Sequence, residues 1–162
     1  MINSEELMKK VEEMRKSGTV DLSLDEDLSL AVMNLISLEE HFFFTGEKTD
    51  KANYFDLSKE VREMRKELLA KLMKNNEGET WCISKHLLAT SMRLLEVGTK
   101  LLGSGKKEQA KEFFDRAYKM YSMFWALRLE LIDVSGLKQV SAEEKPWTTD
   151  DIVSRLVNCC DE

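Results

Sequence analysis

Residues 81–134 read WCISKHLLATSMRLLEVGTKLLGSGKKEQAKEFFDRAYKMYSMFWALRLELIDV. The spacing predicts two long helices folded back on each other at Gly103-Ser104-Gly105, where glycine ends one helix and the next begins. In the first arm, from about 81 to 102, Leu87, Leu88, Met92, Leu95, Leu101 and Leu102 supply the apolar positions. Ala89 and Gly98 are small enough to let a neighbouring helix approach. The second arm, from about 106 to 134, is apolar almost all round between Phe124 and Ile132, with Arg128 and Glu130 as the exceptions. A helix that is apolar on every side is buried on every side. Its C-terminal half is therefore expected to be wrapped by the terminal segments or by another subunit.

Two further long helices precede this hairpin. Ser23-Leu24-Asp25-Glu26 matches a capping box, a serine with glutamate three residues on. The helix it opens, about 24–45, carries Leu28, Ala31, Val32, Leu35, Leu38 and Phe42 at helical spacing, widened by Leu24, Ile36 and Phe43, and Gly46 reads as its stop. A helix over about 51–75 has its stripe at Tyr54, Leu57, Val61, Met64, Leu68 and Leu72. Its other face, from Lys59 through Arg62, Arg65 and Glu67 to Lys71, reads as a solvated surface laced by Lys59/Glu63 and Glu67/Lys71 pairs. Short accessory helices are expected at 5–16 (Leu7, Val11, Met14) and, after Pro146, at 149–159 (Ile152, Val153, Leu156, Val157).

The fold expected is all-α and a single domain over 1–162: an up-down-up-down four-helix bundle of long helices with short connections and terminal accessory helices. Such an arrangement predicts two aromatic layers. Phe42, Phe43, Phe44, Tyr54, Phe55, Phe113 and Phe114 should meet at one end. Trp81, Met120, Phe124 and Trp125 should meet Leu28 and Leu72 at the other.

Composition supports a globular chain. Of 162 residues, 43% are hydrophobic and 33% charged, with one proline and seven glycines. The net charge of -6 and the lack of a dense Lys/Arg cluster disfavour nucleic-acid binding through phosphates. No basic segment followed by an apolar run opens the chain, and no stretch approaches the ~20 apolar residues of a membrane span. No membrane partner is expected. Three cysteines, two of them adjacent at Cys159-Cys160, make a poor disulfide framework and point to the cytoplasm.

Within the 81–134 hairpin, Gly98, Gly105, Ala110, Phe114 and Ala117 stand at the spacings of a tetratricopeptide repeat, with Leu94 and Leu101 where that repeat also has bulk. The segment resembles one such repeat over about a fifth of the chain. It departs at Ser122, where the repeat usually carries proline, and no second copy stands at a ~34-residue offset, whereas such arrays need about three. The expectation is a single well-packed hairpin reached by convergence. Kinship with the repeat would imply a protein-binding groove.

Candidate chemistry is sparse. Cys82 and His86 lie four apart on a helix and could share a soft metal ion, or Cys82 near a helix start could be a reactive thiol. His41 is expected near the other end of the bundle. Glu39-Glu40-His41 offers acid and base groups but reads as a surface acidic turn. Cys159-Cys160 reads as an inert pair near the chain end. No Glu-x-x-His pair, phosphate loop or nucleophile elbow is present.

The function expected is non-enzymatic: a helical protein-protein interaction or scaffold protein that self-associates, with no cofactor. Its surface is expected at Met123, Phe124, Trp125, Leu127, Leu129 and Ile132. The alternatives are a metal- or thiol-dependent protein using Cys82 and His86, and a nucleic-acid-associated module using the Lys/Arg of the 51–75 helix.

Overall fold

The computed structural model describes Glu13, residues 22–73 and residues 79–131. The expected helices 5–16 and 149–159, Cys159, Cys160 and Ile132 lie outside these residues, Glu13 apart. The described chain is an all-α helical bundle of four helices: α1 (Ser23–Thr49), α2 (Asn53–Leu72), α3 (Glu79–Gly103) and α4 (Lys107–Arg128).

Helix ends depart from the sequence reading in instructive ways. Leu22, not Ser23, holds the N-cap position of α1, without a side-chain cap, and Glu26 N–H donates to Leu22 O at 2.8 Å. Asp25 and Glu26 still favour this end by lying against the positive pole of the helix. Gly46 does not stop α1. It is buried inside the helix, and a Cβ there would sit 2.8 Å from Phe55 Cε1. The glycine is a notch for the Phe55 ring. The helix runs on to Thr49 and stops where Asp50 turns left-handed (φ 53°, ψ 39°), its N–H donating to Gly46 O. α2 ends at Leu72, short of 75, because Met73 is extended (φ -99°, ψ 122°) and buried in the core.

The α3–α4 turn closes as predicted from its glycines. Gly105 is left-handed (φ 77°), Lys106 N–H donates to Leu101 O at 3.0 Å and Gly105 N–H to Leu102 O at 3.0 Å. These are the two bonds of a Schellman closure. α4 ends in the same way and earlier than expected. Glu130 has φ 56° and donates to Leu127 O, and Leu131 N–H donates to Ala126 O at 2.8 Å. The expected continuation to 134 is therefore broken at Arg128, and α1, with 27 residues, is longer than α4 with 22.

The helices pair as two antiparallel hairpins, α1 with α2 and α3 with α4. On α3, Ser84, Ser91 and Gly98 recur every seven residues and are all buried. On α4, Ala110, Ala117 and Phe124 do the same. Ser91 Oγ donates to Ala117 O at 2.9 Å, and the Phe114 ring lies over Gly98. Small residues on facing stripes let the two backbones close. The repeat-like spacing in the sequence thus corresponds to a tightly packed hairpin.

In the other hairpin the Glu39 carboxylate receives Arg65 Nε at 2.8 Å and Nη2 at 3.4 Å. Arg65 is buried, so the charged face of α2 is not wholly solvated as the sequence suggested. The guanidinium lies inward because its fork matches a carboxylate on the partner helix. On the outer side Lys66 reaches Glu63 at 3.6 Å.

The two hairpins join at one end. Val32 and Met33 of α1, Leu69 and Leu72 of α2, Trp81, Cys82, Leu87 and Leu88 of α3, and Phe124 and Leu127 of α4 form one buried cluster with Met73. Leu28, Met120 and Trp125 pack against it, which realises the expected Trp81–Phe124 layer. Tyr121, Phe124 and Trp125 stack in a ring trio with centroids 5.7–6.2 Å apart. Polar ties support the same junction. Arg128 Nη2 meets Asp25 at 2.5 Å, Ser29 Oγ and Tyr121 Oη are 2.7 Å apart, and Arg93 bonds Ser37 Oγ at 3.0 Å and lies 3.6 Å from Glu40.

The second aromatic layer does not close across the bundle. Phe42 meets Tyr54 (centroids 6.2 Å), Phe55 fills the Gly46 notch, and Phe43 packs edge-on to Phe44. Phe114 covers Gly98, and Phe113 lies under Arg116, 5.5 Å from ring centroid to guanidinium. No ring pair bridges the hairpins at this end among the described residues. Each hairpin uses one of these rings, Phe55 or Phe114, to fill its own glycine notch.

Candidate functional site

Cys82 and His86 share α3 but not an environment. Cys82 is 1% exposed inside the shared core, flanked by Trp81, while His86 is exposed. A soft metal would need both donors turned to one accessible point, with further ligands to complete a tetrahedron. No cluster of three His, Cys, Asp or Glu suited to a metal occurs among the described residues. The same burial keeps the Cys82 sulfur from reagents in solution, whatever the helix start does for the thiolate.

Glu39-Glu40-His41 is not a surface turn but a mid-helix segment of α1. Glu39 is engaged by Arg65 and Glu40 faces Arg93, while His41 is exposed and its ring centroid lies 6.5 Å from that of Phe42. Glu39 is therefore committed to holding α1 and α2 together, while the Glu40–Arg93 pair lies in solvent with both side chains about half exposed. The outer face of α2 carries a shallow depression of about 770 Å³ lined by Asp56, Lys59, Glu60, Glu63, Met64 and Glu67. Four carboxylates against one ammonium repel a phosphate backbone, and Arg65 is turned inward.

The expected interaction surface on α4 divides. Phe124 (0% exposed) and Leu127 belong to the chain's own core and are withdrawn from it. Trp125 and Leu129 are half-buried, and Met123 is 40% exposed. The apolar surplus of α4 was thus absorbed largely by α1, α2 and α3, because the hairpins converge on this end of the helix.

Large apolar side chains stay exposed at the opposite end. Phe43 and Phe44 are 48% and 49% exposed on the last turns of α1, and Phe55 and Leu57 are 40% and 38% exposed at the start of α2. On the corresponding end of the other hairpin, Leu95, Val97 and Leu102 of α3 are exposed. Phe44 lies one turn beyond Glu40 and two beyond Ser37, so it shares the α1 face that meets Arg93 of α3. The sequence pattern places the Phe42–Phe44 run in a closed aromatic layer and so does not mark these residues as a surface. The available signal was the clustering of bulky aromatics around a hairpin turn with too few small residues opposite to receive them all.

No protein-family model, curated protein or solved structure matches this chain. No helix among the described residues is long and apolar enough to cross a membrane.

Proposed function

We propose that the protein is a non-enzymatic helical interaction protein that self-associates in the cytoplasm, through the apolar surface around the α1–α2 turn. The observation that carries this reading is the half-exposure of the adjoining Phe43 and Phe44 rings, with Phe55 and Leu57 exposed across the same turn. Burying the remaining exposed half of one such aromatic recovers roughly 1 kcal/mol of hydration free energy. Clustered rings of this size left in water mark contact surfaces more often than isolated exposed residues do. The Glu39 carboxylate of α1 ties that helix to α2 through Arg65, which favours a structural over a catalytic use of this group. The surface moves the expected contact from the end of α4 to the opposite end of the bundle, while Met123 and Leu129 remain at the edge of the earlier one.

The test is the assembly state. Multi-angle light scattering at micromolar concentration should give a dimer or larger species. The F43S/F44S variant should run as a monomer of 18.8 kDa with an unchanged far-UV circular dichroism spectrum. A wild-type monomer across the accessible concentration range overturns the proposal, as does an oligomer indifferent to F43S/F44S.

A further inference from the structure

We draw no further inference here: the strongest candidate, the exposed apolar patch on the α3 end of the second hairpin at Leu95, Val97 and Leu102, is an unpartnered helix face, and nothing in the structure shows what covers it.

Discussion

Replacing Gly98 by alanine puts the α3–α4 packing to a direct test. A Cβ at Gly98 would stand 2.5 Å from Phe114 Cε1 and 2.6 Å from Cδ1. Carbon atoms in ordinary contact are ~3.5–4.0 Å apart, so the overlap is about 1 Å. Overpacking of this kind costs about 1–3 kcal/mol. Against it stands the gain of alanine over glycine inside a helix, about 0.5–1 kcal/mol. The clash wins, and G98A should lose about 1–2 kcal/mol net. For a chain of this length that lowers Tm by roughly 2–8 °C. Gly103 supplies the control, since a Cβ there meets nothing within 4 Å. G103A should gain up to ~1 kcal/mol from the same backbone effect. The F114A background removes the ring, and there G98A should turn neutral or stabilising, a coupling of at least ~1 kcal/mol in a double-mutant cycle. Urea unfolding followed by far-UV circular dichroism reads wild type and all four variants. G98A as stable as wild type, or a penalty undiminished in F114A, would refute the packing described.

Three further outcomes are expected. Arg65→Ala leaves the Glu39 carboxylate, with a side chain 17% exposed, without its main cation, and should cost about 3–5 kcal/mol in urea unfolding; R65M/E39L should cost less, because it removes both charges. Ser84 Oγ is buried and has no hydrogen-bond partner among the described residues, whereas Ser91 Oγ bonds Ala117 O, so S84A should be neutral or stabilising while S91A costs about 1 kcal/mol by thermal melt. Iodoacetamide under native conditions should leave Cys82 unmodified by peptide mass mapping, with labelling only in denaturant; rapid native labelling would revive a thiol-based function.

Much of the fold was legible because helical periodicity is a local property. Leu87, Leu88, Val32 and Leu72 fall on the predicted apolar stripes and are buried, whereas Leu24, Leu57, Met64, Leu95 and Leu102 on the same stripes stay exposed, and Leu69, off its stripe, is buried. Gly103 to Gly105 announced the α3–α4 turn through the one left-handed glycine it needs. Other ends were hidden because non-glycine residues occupy the left-handed positions, Asp50 after α1 and Glu130 after α4. Gly46 misled for the converse reason: a glycine can mark a helix end or a close approach, and only Phe55, packed on it from α2, decides which. The candidate surface was less legible still. Phe124 and Phe44 are both phenylalanines inside runs of bulky residues, yet one is sealed and the other half open.

What the sequence by itself determined was the four long helices α1 to α4, their hairpin pairing through short turns, and the small residues that let α4 lie close on α3. These depend on neighbours within a few residues or across one turn. Only the tertiary structure decided that Arg65 turns inward to Glu39, that α4 stops at Arg128, and that the hairpins seal around Phe124 while leaving Phe43 and Phe44 open to water. Each of those outcomes depends on where one hairpin or helix meets another, and that meeting is set by contacts between residues far apart in the chain. Asp25 with Arg128 and Ser29 with Tyr121 are two such contacts, and no periodicity in either segment encodes the other.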